Sequence, residues 1–105
     1  MGAYKFWCEI KKHFPKSSRS LSSKIDSGFL ELFEALFKAR YQKDKLMILE
    51  ESDIKLSMLK FFLRLSWETK ALDNKKYILL SEKIDEVGRM LGGWKKYSSK
   101  QTSAK

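Results

Sequence analysis

Apolar residues recur along this chain at intervals of three and four, the period of amphipathic helices. Ala3, Trp7, Ile10 and Phe14 predict a first helix from about Ala3 to His13. Pro15 ends it, because the residue before a proline is pushed out of the α region. A second helix begins within Lys16–Ser20 and runs to about Tyr41. Its stripe is Leu21, Ile25, Phe29, Leu32 and Leu36, broadened by Phe33 and Phe37. The polar break Gln42-Lys43-Asp44 follows, and Asp44 suits the N-cap of a third helix reaching about Lys70. Asp73 caps a fourth helix running to about Tyr97. Its seam of Tyr77, Leu80, Ile84, Val87, Leu91 and Trp94 alternates threes and fours, as in helices that cross at a shallow angle. The expected fold is all-α, an up-down antiparallel four-helix bundle over residues 1–97, with 98–105 a basic polar tail.

The third helix departs from the usual pattern. An ordinary surface helix has one apolar stripe. This one has two opposed arcs: Leu49, Leu56, Leu59, Leu63 and Trp67 on one side, Ile54, Met58, Phe61, Phe62 and Leu65 on the other. A four-helix bundle covers only one, which predicts a neighbouring subunit on the second. Periodicity alone leaves open which arc faces the core. The first helix is also less than half as long as the others, so it covers only one end of them. That too predicts an oligomer. Gly88 and Gly92 lie within the fourth helix beside Ser81. They mark a strip where another helix can approach closely, although Gly92-Gly93 also fits a helix C-terminus.

One proline and five glycines in 105 residues exclude a β-sandwich or barrel, which needs frequent turn signals. The net charge is +9, concentrated in the two ends: residues 1–40 and 73–105 each carry eight basic and four acidic side chains. Such a charge on a small body suits a polyanionic partner, whether nucleic acid, an anionic membrane or an acidic protein, or serves solubility alone. No apolar run is long enough to span a membrane, and the N-terminus lacks a signal-peptide pattern. A single cysteine, Cys8, fits a reducing cytoplasm.

Catalytic chemistry is poorly supplied. Cys8 and His13 are the only residues of their types, so no usual zinc set can form, and no metal or other cofactor is expected. The Arg-x4-His element of small helical ribonucleases is absent, since Cys8 stands five residues before His13. No phosphate-cradling Gly-x4-Gly-Lys loop is present. The chain is therefore read as not an enzyme. The candidate chemistry is basic. Lys60 and Arg64 lie one turn apart in the polar gap between the arcs of the third helix, bordered by Phe61 and Trp67. Cations beside aromatics suit contact with nucleic acid; a surface strip in which Arg64 pairs with Glu68 fits equally. Lys11, Lys12, Lys16, Arg19 and Lys24 gather at the corner of the first two helices, and Lys95, Lys96, Lys100 and Lys105 at the C-terminal end. These clusters need not merge within one subunit.

Two stretches carry a family resemblance: Ser57-Met-Leu-Lys-Phe-Phe-Leu-Arg-Leu-Ser66 and Glu86-Val-Gly-Arg-Met-Leu-Gly-Gly-Trp94, with Phe-Pro before the second helix. Over about Tyr4 to Tyr97 the chain resembles the Avd-like proteins, accessory proteins of diversity-generating retroelements. The bundle proteins of ribosomal RNA intervening sequences share that architecture. The resemblance implies a homopentameric ring with a basic, pore-containing barrel. It also implies RNA or DNA binding with little sequence preference, and association with a reverse transcriptase in mutagenic cDNA synthesis. Lys60 and Arg64 align with the basic pair of the family's Leu-[Lys/Arg]-Phe-x-Leu-Arg motif. Ile54, Met58, Phe61, Phe62, Leu65, Gly88 and Gly92 become the candidate subunit interface. Lys12, Lys16, Arg19, Lys95 and Lys96 join Lys60 and Arg64 as candidate nucleic-acid contacts. The alternative is an oligomeric protein or RNA interaction module without a polymerase partner.

Overall fold

A computed structural model describes the backbone of residues 2–103 and the side chains of residues 2–98. All its regular structure is helical: α1 (Gly2–Lys11), a short 3-10 turn (Lys16–Ser18), α2 (Arg19–Ala39), α3 (Lys45–Glu68) and α4 (Asn74–Ser103). The helices alternate in direction. Tyr4 meets Phe33 and Lys11 meets Asp26 across α1 and α2, while Lys60 meets Asp85 and Asp53 meets Lys95 across α3 and α4.

Local sequence sets the boundaries. Pro15 sits extended at φ −61°, ψ 147° and releases the chain from α1. α1 stops at Lys11, two residues before the expected end. Its last turn tightens instead, with the amides of His13 and Phe14 donating to the carbonyls of Ile10 and Lys11. Both expected N-caps form: Asp44 accepts from the amide of Met47 at 3.2 Å, and Asp73 from that of Lys76 at 2.8 Å. α3 closes in a Schellman motif, where Ala71 N–H reaches the Ser66 carbonyl and Lys70 N–H that of Trp67. The left-handed position of that motif, usually glycine, is Lys70 at φ 66°. α4 continues past its expected end at Tyr97 to Ser103. Gly92 and Gly93 keep negative φ and no proline follows, so nothing stops it. The side chain of Lys100 and all of Lys105 lie outside the described residues.

α1 is attached by an aromatic wedge. Trp7 is fully buried, stacked on Phe29 at 6.5 Å and edge-on to Phe14 at 5.1 Å. Tyr4 meets Phe29 and Phe33 edge-on at 5.5 Å. The indole N–H of Trp7 donates to Asp26 Oδ1 at 2.7 Å, and the Lys11 ammonium reaches the same carboxylate at 3.2 Å. That hydrogen bond raises the Lys11 pKa above its ordinary value. On the other side, Phe6 lies under the ammonium of Lys83 from α4, 5.7 Å from its ring centre. The long core is aliphatic, built on Ile25, Leu32, Leu56, Leu59, Leu63, Leu80, Ile84 and Leu91. Small residues bring α2 and α3 close. A Cβ on Gly28 would sit 3.2 Å from Leu59 Cδ1. The buried Ser52 and Ser66 return their hydroxyls to the carbonyls of Ile48 and Phe62.

The structure decides between the two arcs of α3. Leu49, Leu56, Leu59 and Leu63 are buried in the core. Ile54, Met58 and Phe61 are 64%, 54% and 57% exposed, with Phe62 and Leu65 partly covered. Three residues on the apolar stripes are instead exposed at the surface: Phe37, Trp94 and, to a lesser degree, Trp67. Phe37 and Trp94 lie beyond the reach of α1, whose ten residues cover about 15 Å of a molecule 52 Å long. Trp67 lies over the end of the bundle, stacked on Tyr77 at 5.1 Å and donating to Asn74 Oδ1 at 3.2 Å.

Asp26 is the acceptor that lets Trp7 be buried. Replacing it by Ala strands the indole N–H and is expected to cost about 1–3 kcal/mol in urea unfolding. Asp26→Asn, which keeps an acceptor, should cost less. Equal unfolding midpoints for wild type and Asp26→Ala would contradict this role.

Candidate nucleic-acid and subunit interface

The strip between the arcs of α3 lies along the seam with α4, and its cations are engaged there. Lys60 Nζ lies 3.0 Å from Asp85 of α4. Arg64 Nε lies 2.9 Å from Glu68, the i,i+4 pairing that the sequence allowed as the plainer reading. Further along the seam, Lys95 reaches back to Asp53 at 3.2 Å, and Ser57 returns its hydroxyl to the Asp53 carbonyl. Two of these three pairs stitch α3 to α4. All are substantially exposed, so each is worth a few tenths to about 1 kcal/mol and can exchange its carboxylate for a phosphate.

The corner cluster is more open. Lys12, Lys16, Arg19 and Lys24 are exposed and have no ion-pair partner among the described residues, whereas Lys11 is held by Asp26. The corner abuts the α3–α4 turn across a cleft of about 210 Å³, with His13, Lys70, Asp73 and Lys76 around a floor of Ile10 and Leu72. Lys95 and Lys96 stand far from it, since Lys95 pairs with the first half of α3. The two clusters therefore occupy opposite halves of the bundle and do not merge within one subunit.

The apolar candidates divide in the same way. Ile54, Met58, Phe61 and Leu65 succeed one another at four, three and four residues, forming one stripe on the outward side of α3. Phe62 is turned partly toward the bundle, edge-on to Phe61 at 5.7 Å. Gly88 does allow a close approach, but the approaching side chain is Leu56 of the same chain, 3.4 Å from where its Cβ would be. That contact is internal and calls for no second subunit. A Cβ on Gly92 would meet nothing within 4 Å. Cys8, partly buried, lies beside Tyr4, whose hydroxyl pKa is raised chiefly by its hydrogen bond with the Cys8 side chain. No group of three or more potential metal ligands occurs among the described residues.

Sequence reasoning missed the cations and rings at the end of α2. Phe37 sits at a core-compatible spacing, and only the short reach of α1 leaves it bare. The signal was present in the length of the first helix.

The two glycines should respond in opposite directions. Gly88→Leu forces branched carbons against Leu56 and is expected to cost about 1–3 kcal/mol. Gly92→Ala, on an open helix face, should gain about 0.8–1.0 kcal/mol. Thermal melts showing the same sign for both would contradict the packing described.

No helix among the described residues is long and apolar enough to cross a membrane. A search of curated proteins returns no match. A family model described as bAvd-like matches residues 3–98, which takes in all of the α3 strip and the Val-Gly-Arg stretch of α4. That match covers nearly the whole antiparallel bundle, both signature stretches included, and the chain belongs to the bAvd-like family.

Proposed function

We propose that the protein is a non-catalytic accessory scaffold. It assembles with copies of itself through the outer face of α3, binds nucleic acid, and supports mutagenic cDNA synthesis by holding the reverse transcriptase of a diversity-generating retroelement. The observation that carries this reading is the stripe Ile54, Met58, Phe61 and Leu65, which faces away from the core on a chain that belongs to the bAvd-like family. Apolar area kept from water stabilises by about 25 cal/mol per Å², so a stripe of large side chains along three turns favours burial against another surface. Aliphatic and thioether side chains at helical spacing suit a protein partner. The proposed assembly is a ring of five.

The charge supports the nucleic-acid part. At +9 the chain attracts phosphates over a distance, and contact with them releases counterions. The open corner cations Lys12, Lys16 and Arg19 are available at once, with Lys96 at the other end. Lys60, Arg64 and Lys95 contribute by exchanging partners, from Asp85, Glu68 and Asp53 to phosphate. A scaffold role asks for surfaces rather than acid–base groups, and surfaces are what the bundle offers.

Two substitutions test the parts separately. Ile54→Asp with Phe61→Asp should lower the molar mass of the assembly to that of one 12.4-kDa chain while helicity is kept; unchanged mass would remove α3 from the interface. Lys60→Ala with Arg64→Ala should weaken nucleic-acid binding and flatten its dependence on log salt by about 0.7–0.9 per lost phosphate contact. An unaltered slope and affinity would remove that strip from the nucleic-acid surface.

A further inference from the structure

The half of the bundle that α1 does not reach leaves aromatic rings in water. Phe37 on the last turn of α2 and Tyr41 in the turn that follows are 59% and 74% exposed, with ring centres 5.4 Å apart. On α4, Trp94 and Tyr97 are 46% and 63% exposed. These residues continue the flanks that carry α1 elsewhere. Phe37 is one turn beyond Phe33, which meets Tyr4. Trp94 is eleven residues beyond Lys83, which meets Phe6, so it returns to the same side of α4 after three turns.

Cations accompany the rings, and neither stretch of chain that bears them holds a carboxylate, although Asp53 of α3 pairs with Lys95. The stretch 37–43 holds Lys38, Arg40 and Lys43 and no acidic residue; the stretch 89–98 holds Arg89, Lys95 and Lys96 and none either. α4 has no acidic residue after Glu86. Two such surfaces placed face to face would oppose like charges, which disfavours a two-fold contact between copies through this patch. A polyanion gains on both flanks. The side chains also differ in kind from the outward stripe of α3. There, Ile54, Met58 and Leu65 are flexible and aliphatic; here, the rings are flat, and a flat ring matches the π-face of a nucleobase.

We propose that Phe37, Tyr41, Trp94 and Tyr97 form a stacking platform for the unpaired bases of a single-stranded nucleic acid, with Arg40 and Lys96 taking its phosphates. This rests on the nucleic-acid reading above and specifies the form of the ligand. In a duplex the bases already stack on one another and only phosphates are offered, so this surface discriminates between single and double strands.

The test uses the full chain and a 20-nucleotide oligothymidylate, with a 20-base-pair DNA duplex as comparison. Trp7 is buried and Trp67 has one face stacked on Tyr77, so Trp94 is the most exposed of the three indoles. The single strand should quench tryptophan fluorescence, and Trp94→Phe should remove most of that quenching while binding persists. The triple variant Phe37→Ala, Tyr41→Ala, Trp94→Ala should keep its helicity and bind the single strand at least tenfold more weakly, with the duplex affected less than threefold. Tryptophan quenching undiminished by Trp94→Phe, or single-strand affinity unchanged in the triple variant, overturns the platform and leaves nucleic-acid binding in place. A wild-type chain that binds neither strand overturns the platform and the nucleic-acid reading together. A triple variant of lower molar mass and unchanged affinity overturns it in favour of a contact between copies.

Discussion

Burial in this bundle is limited by geometry before it is limited by composition. A helix of ten residues lies beside helices of 21, 24 and 30 residues, so it reaches only one half of the groove between α2 and α4. α3 meanwhile carries apolar residues on both its inner and outer sides and can turn only one of them to the core. The chain thus holds more greasy surface than its own four helices can cover, at about 25 cal/mol for every Å² left in water. The two bare regions that result are of different character. The outer face of α3 is mainly aliphatic, the character expected of the protein contact proposed for it. The far end of α2 and α4 is aromatic and cationic, the character expected of the platform proposed there.

The attachment of α1 shows what the short helix contributes. Trp7 places its whole ring system in the core, and Asp26 receives its one polar atom together with the Lys11 ammonium. Half a bundle closed in this way is enough to bury Phe29 and to cover Tyr4, Phe14 and Phe33 in part. The other half relies on α2, α3 and α4 alone, where Leu49, Leu56 and Leu91 are still covered. The fold is therefore complete around its axis and incomplete on its surface.

Much of this was legible in the residue pattern, and the exceptions have physical causes. Four helices, both aspartate caps and the doubled apolar character of α3 followed from spacing and cap chemistry. Spacing could not rank the arcs of α3, because both repeat at helical period. The side turned inward is the one on which Leu59 meets Gly28 of α2 and which also carries the small buried Ser52 and Ser66. Phe37 and Trp94 read as core because their spacing continues a core stripe; their exposure is decided by a different helix, α1, which ends the cover. The end of α4 was placed at Tyr97 from a polar composition, yet polarity does not stop a helix without a proline or a left-handed residue. For the candidate site, the pairing of Arg64 with Glu68 was readable at i,i+4. The pairing of Lys60 with Asp85 was not, since it depends on the register of two helices. The close approach at Gly88 was foreseeable as well, but sequence could not say that its partner, Leu56, belongs to the same chain.

A claim about uncovered surface is tested most directly by weighing the particle. Light scattering on the purified native chain, followed across micromolar concentrations at physiological salt, should give a constant mass several times 12.4 kDa, five times for a closed ring. A stable, fully helical particle with the mass of a single chain would contradict the account, because the outer stripe of α3 would then tolerate water without a partner.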